Sequence, residues 1–182
     1  MGGHVCPWWG GYFIDNRFRR LIHPPEKILA PYVQPGMTAL DFGCGMGFFA
    51  LPMARLVGPT GEVIAVDVQR RMLDVLAKRA RKQGVADRIQ LHHCGPDSLN
   101  WAGPVDFELA FYSAHEVPRL GRLWQELFAC LRSGGVLLWV EPIGHVAKRR
   151  FAEMLTAAEE AGFNVQERPS IRLSRAALLA KP

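Results

Sequence analysis

The stretch Asp41-Phe42-Gly43-Cys44-Gly45-Met46-Gly47 concentrates the residue types that hold a small ligand. Glycines at alternate positions let the backbone turn tightly and approach a bound group that side chains would exclude. A nicotinamide enzyme needs G-x-G-x-x-G, and counting from Gly43 puts Phe48 where the third glycine must stand, which blocks close helix approach around a pyrophosphate. Asp41 argues the same way, because a carboxylate beside the loop repels phosphates but accepts hydrogen bonds from an ammonium group. Further along, Asp67 supplies a second carboxylate, suited to the two hydroxyls of a ribose. Taken alone, Asp67 reads equally well as a helix N-cap. Together the loop and both carboxylates imply a ligand with an amine and a sugar diol.

A second group of candidates surrounds the place where an acceptor would sit. The run Tyr112-Ser113-Ala114-His115-Glu116 offers His115 as a general base, useful if the acceptor must lose a proton; the alternative is that His115 orders the pocket or caps the loop. Near the N-terminus, Trp8, Trp9, Tyr12 and Phe13 flank Gly10 and Gly11 and form either a mobile lid over a substrate pocket or a cover for the sheet edge. Cys6 reads as a soft ligand or nucleophile for a metalloid acceptor, or as an inert thiol. No metal-binding set is expected.

These residues need a scaffold, and the hydrophobic periodicity describes one. From Thr38 onward short apolar runs alternate with amphipathic stretches, the pattern of a parallel sheet covered by helices on both faces. Strands are expected at Thr38–Phe42, Glu62–Asp67, Ile89–His93, 106–113 and 136–141, with helices at 48–56, 70–83, 120–131 and 146–161. Two strand-like pieces, 164–168 and 175–181, close the chain as a hairpin. The whole of 1–182 reads as one domain, with 1–37 an aromatic and helical cap before a core at 38–182.

Composition sets outer limits. Nearly half of the 182 residues (49%) are apolar, enough to build one core. The net charge of +5 comes from basic clusters around Arg19, Lys78 and Lys148; these read as solvated helix faces, with a nucleic-acid partner the less favoured reading. Four cysteines without a CxxC pair fit reduced thiols, no apolar run is long enough to span a bilayer, and the start of the chain lacks a signal-peptide pattern. A cytoplasmic protein without a membrane partner is therefore expected. Monomer and homodimer both stay open.

The runs Leu40-Asp41-Phe42-Gly43-Cys44-Gly45-Met46-Gly47, Val63-Ile64-Ala65-Val66-Asp67 and Leu131-Arg132-Ser133-Gly134-Gly135-Val136-Leu137 resemble the class I S-adenosylmethionine-dependent methyltransferases. Within them the chain is similar to the small-molecule branch that includes the ubiquinone/menaquinone C-methyltransferases. The resemblance implies a three-layer α/β/α Rossmann-like fold, strand order 3-2-1-4-5-7-6 with an antiparallel hairpin strand, and transfer of the cofactor's methyl to a small acceptor by in-line displacement, leaving S-adenosylhomocysteine. It also implies that Asp41, Gly43, Cys44, Gly45 and Gly47 hold the methionine part with Ser113 nearby, that Asp67 holds the ribose, and that Val68 packs on adenine. Where the family usually has Gly-Asp-Ala after strand 3, this chain reads Cys94-Gly95-Pro96, so either Asp97 reaches back to adenine or the backbone around Gly95 does that work. The run after strand 4 contains neither an Asn/Asp-Pro-Pro-Tyr/Phe sequence nor a Pro-Cys pair, which speaks against methylation of DNA bases. The competing readings are an RNA methyltransferase, a nicotinamide-dependent oxidoreductase and a catalytically silent cofactor-binding module.

Overall fold

A computed structural model describes residues 17–182. Trp8, Trp9 and Tyr12, together with Cys6 and Phe13, lie outside the described residues. Two short helices, α1 (Arg17–Ile22) and α2 (Pro25–Leu29), precede the sheet. Pro25 opens α2, where a fixed φ and a missing N–H cost nothing. Strand β1 (Thr38–Phe42) leads through the glycine loop to α3 (Ala50–Leu56). Then follow β2 (Glu62–Asp67), α4 (Arg70–Lys82), β3 (Ile89–His93) and β4 (Val105–Phe111). The chain continues through α5 (Leu120–Cys130), β5 (Leu131–Pro142) and α6 (Lys148–Glu160) to the hairpin of β6 (Asn164–Glu167) and β7 (Ser174–Ala180).

Seven strands form one sheet in the order β3-β2-β1-β4-β5-β7-β6, the expected order. The first five are mutually parallel, and β7 runs antiparallel to both β5 and β6. Because side chains alternate across a strand, the sheet feeds two apolar layers. Ala39, Phe107 and Leu109 pack with α2, α3 and α4, while Leu40, Ala110 and Leu137 pack with α5 and α6. In the second layer Trp139 stacks on Phe151 at 4.2 Å between centroids and meets Trp124 edge-on at 5.2 Å. Such pairs add about 0.5–1.5 kcal/mol each beyond the area they bury.

Most element ends fall within one or two residues of expectation, α6 for instance starting at Lys148 rather than 146, and three departures have a local reason. Helix α3 begins at Ala50 rather than at 48, because the glycine loop carries its turn through Phe48 and Phe49. Strand β4 stops at Phe111: Tyr112 has φ +62°, which an extended strand does not accommodate. Strand β5 starts early, at Leu131, pairing with Val105 before an irregularity brings Val136 opposite Phe107. Glu108, on β4, is fully buried with both carboxyl oxygens unpartnered; burial pushes its pKa well above the carboxylate range, opposed by Lys181.

Candidate functional site

The carboxyl ends of β1, β2, β4 and β5 meet along one edge of the parallel sheet, the place where open α/β sheets bind ligands. The glycine loop lies there. Gly43 and Cys44 donate their N–H groups to the carbonyl of Val66 at 2.9 and 3.0 Å, tying the loop to β2. Gly43 has φ +73°, and a β-carbon added to it would lie 2.5 Å from that of Ser113; at Gly47, with φ +90°, an added β-carbon would lie 2.4 Å from Leu76. Only glycine satisfies both the backbone angle and the space at these two positions. Gly45 differs, since a β-carbon there would meet nothing within 4 Å: the loop's middle faces open space. Arg79 of α4 donates to the carbonyl of Met46 at 3.1 Å and braces the loop from outside.

Two carboxylates flank this loop. Asp41 is 2% exposed, and its Oδ2 has no partner. Burial, then the charge of Asp67, pushes its carboxyl up to about 7, against the Ala50 N–H and the Arg19 charge that favour ionisation. Asp67 is engaged on both oxygens: Oδ2 accepts the Gly45 N–H and Oδ1 the Gln69 N–H, each at 2.8 Å. It therefore fastens the loop and the start of α4 together, and each oxygen retains a second lone pair. Burial raises its pKa, opposed by those two N–H groups and by His93.

The remaining candidates for the cofactor sort by position. The Ser113 hydroxyl donates to the Phe42 carbonyl at 2.9 Å, so its proton is committed to supporting β1. Cys44 is buried, and burial together with Asp41 and Asp67 raises its thiol well above the ordinary value; the neutral side chain packs inward while its backbone shapes the loop. Val68 is half-buried against the second apolar layer. Gly95 and Asp97 line one small cleft with Phe42, Pro96, Val117 and Leu123. Asp97 is thus on the cleft wall despite its late position, with Arg119 at 3.9 Å from its carboxylate.

His115 sits in a one-turn 3₁₀ helix just past β4. Its Nδ1 is 2.6 Å from Oε2 of Glu141, while its backbone N–H donates to Oε1 at 3.1 Å. Glu141 is fully buried at the end of β5, and Oε1 also accepts the Trp139 indole N–H at 2.9 Å. Burial pulls the His115 pKa down, but the hydrogen bond and charge of Glu141 outweigh it and leave the imidazole above its ordinary value. The contact engages Nδ1 and leaves Nε2 as the ring nitrogen for chemistry. Glu141 was not anticipated as a site residue; the one signal in the sequence is a carboxylate ending an apolar run at the edge where the site forms.

A second unanticipated cluster joins the first helices to β7. The Tyr112 hydroxyl lies 2.7 Å from Ser174 Oγ and 3.3 Å from His23 Nε2, and His23 Nε2 lies 2.8 Å from the Arg172 carbonyl. These contacts hold α1 beside the glycine loop.

Residues 39–135, just over half the chain, match the family model described as a methyltransferase domain. The chain belongs to that family. Its cofactor is S-adenosylmethionine, and the residues present fit that molecule: an orphaned buried carboxyl oxygen at Asp41, a loop open at Gly45, and free lone pairs on Asp67. Among relatives, the chain is 31% identical to a demethylmenaquinone methyltransferase of Lactobacillus johnsonii over 104 residues, 57% of this chain and 43% of that protein. It is 30% identical to a nocamycin O-methyltransferase of Saccharothrix syringae over 119 residues, 65% of this chain and 42% of that protein. These matches span less than half the length of those relatives. A solved S-adenosylmethionine-dependent methyltransferase from Aquifex aeolicus shares the fold, with a TM-score of 0.85, 22% identity, and 97% and 98% of the two chains covered. Among the described residues no helix is long and apolar enough to cross a membrane.

Proposed function

We propose that this methyltransferase-family chain transfers a methyl group from S-adenosylmethionine to a small acceptor by in-line displacement. The observation that carries the reading is the glycine loop with its two buried carboxylates, one with an orphaned oxygen and one holding the loop closed. Asp41 and the backbone of Gly43 to Gly47 hold the amino-acid end, Asp67 the ribose, and the cleft of Gly95, Asp97 and Phe42 the adenine, with Val68 packed nearby. The cofactor supplies a methyl group on a positively charged sulfur, already electrophilic. The chain's contribution is to hold the acceptor in line with that methyl and keep water away, and proximity and orientation are worth roughly 7–11 kcal/mol in well-oriented reactions.

His115 acts as general base through Nε2, with Glu141 fixing the ring's orientation and tautomer. An acceptor that must shed a proton is favoured by this pair. Trp8, Trp9 and Tyr12 complete the acceptor pocket in this reading, with 1–37 as a cap on the domain at 38–182. A small acceptor also accords with the substrates in the names of the two relatives. The RNA reading loses support because several basic residues serve the fold itself: Arg79 braces the loop, and Arg20 and Arg55 both pair with Glu26.

Calorimetric titration with S-adenosylmethionine, S-adenosylhomocysteine and NADH tests the cofactor assignment. Binding of the first two and indifference to NADH is expected. Binding of NADH with no response to the sulfur compounds would overturn the proposal.

A further inference from the structure

Four of the five large apolar side chains that stand exposed among the described residues belong to three segments. Phe18 and Leu21 are on α1, Ile143 follows β5, and Leu173 precedes β7; they are between 47% and 77% exposed. Hydrogen bonds bring these segments together. The Ile143 N–H donates to the Leu173 carbonyl at 3.2 Å, and His23, just after α1, is bonded to the neighbouring Arg172 carbonyl at 2.8 Å. The Tyr112 hydroxyl, past the end of β4, donates to the Leu173 carbonyl at 3.4 Å, which places the patch at the carboxyl ends of the parallel strands. On α1, Arg19 and His23 are four residues apart and turn onto Phe48, Phe111 and Tyr112, so Phe18 and Leu21, three apart, are left on the outward face.

The charge of the same segments is one-sided. Residues 17–23, 143–150 and 168–175 carry nine of the chain's 22 basic residues and none of its 17 acidic ones, so the rest of the chain has a net charge of −4 against +5 for the whole. Arg20 shares Glu26 with Arg55, and Arg149 and Arg150 share Glu153. The exposed side chains of Lys148 and Arg172 have no ion-pair partner among the described residues.

Leu173 is also strained where it stands. Its φ of +56° is a left-handed conformation that asparagine takes far more readily than leucine. Nothing inside the fold explains a large apolar residue that is both strained and 53% exposed. Apolar side chains set among unpaired cations suit a surface of anionic lipid, where the side chains enter the headgroup layer and the cations meet the lipid charge.

We propose that this edge docks the chain onto an anionic lipid surface, with Phe18, Leu21, Ile143 and Leu173 entering the headgroup layer and Lys148 and Arg172 meeting the lipid charge. The sequence expectation of no membrane partner rested on the lack of a spanning run, which a docked chain does not need.

Flotation of the full chain with phosphatidylcholine vesicles, made with and without phosphatidylglycerol, tests this. Binding to the anionic vesicles alone is expected, and salt should weaken it. Leu173→Asn should weaken binding about tenfold, the loss of a partly buried leucine, yet unfold at the same or a higher denaturant concentration because the left-handed strain is relieved. Lys148→Gln should weaken it about fivefold, the effect of one cation near the surface. Leu91→Asn, which changes the fifth exposed apolar residue, on β3 at the far edge of the sheet, should alter nothing. Equal binding to both vesicles, Leu173→Asn and Lys148→Gln chains that bind like wild type, or an equal loss in Leu91→Asn would overturn the proposal. So would a chain that ignores both vesicles, whether or not it pairs with itself in sedimentation velocity.

Discussion

Asp41→Asn is expected to abolish a pH dependence of cofactor binding that the wild type shows. Burial and the neighbouring Asp67 charge hold the Asp41 carboxyl at about 7, so in the free protein it is half protonated near neutrality. A cationic ligand beside Oδ2 favours the ionised form, and binding must then expel the proton. With a free-state value of about 7, the ionised fraction is about 3% at pH 5.5 and about 50% at pH 7, so affinity should rise about fifteenfold across that interval. The ligand's own ammonium group, with a value of about 7.7–8.0, stays mostly charged over the same range. Calorimetry at both pH values measures the slope. Repeating it in two buffers of different ionisation heat counts the proton: about half a proton should leave per cofactor at pH 7 in the wild type, and none in Asp41→Asn. The linked effect on the free protein has the opposite sense. A carboxyl raised on folding contributes stability that is fully present below its unfolded value of about 3.9 and is lost as pH rises through about 7, and the variant should lack this loss. A wild type whose affinity is flat with pH, or an Asp41→Asn chain that keeps the slope, would refute the reasoning.

Two further substitutions probe the parts that hold the site. Gly43→Ala places a β-carbon 2.5 Å from that of Ser113 on a backbone at φ +73°, and crowding plus left-handed strain should cost about 2–4 kcal/mol in denaturant unfolding. Adding Ser113→Gly should return only the crowding part, and an Ala variant as stable as wild type would show that the loop yields freely. Glu141→Gln should lower the His115 pKa, followed by the imidazole resonances in an NMR titration, because the carboxylate charge that favours the protonated ring, both across space and through the hydrogen bond, would be lost. His115 contributes stability that is present below its unfolded value of about 6.5 and is lost as pH rises through its raised folded value, so the stability gap between wild type and variant should be widest in acid. An unmoved His115 titration would count against the pair.

Much of the site was legible because its signals are local. The alternate glycines, the Asp at each strand end and the strand and helix periods are properties of short segments, and the structure places them at one sheet edge in the expected order. Boundaries were less legible where a tertiary contact decides them. Tyr112 takes a left-handed backbone where its hydroxyl joins His23 and Ser174, which no local pattern announces. Glu108 reads as one polar residue between Phe107 and Leu109, and only the layers on both faces of β4 make it a buried, unpaired carboxyl.

By itself the sequence determined the chemistry available at the loop, since a glycine run between a strand and a helix specifies backbone that can approach a ligand, and the carboxylates beside it specify charge. It determined the layered α/β architecture for a similar reason: apolar period is set residue by residue. The partners of those charges were decided only in three dimensions. His115 meets Glu141 because parallel register sets Phe111 of β4 beside Val140 of β5, bringing the two strand ends together. Arg19 reaches Phe48 where His23, just after α1, is fastened to the Arg172 carbonyl before β7, and the value of about 7 at Asp41 arises first from burial and then from the charge of Asp67 on the neighbouring strand. Burial and distance between remote residues set these energies, and neither exists until the chain has closed on itself.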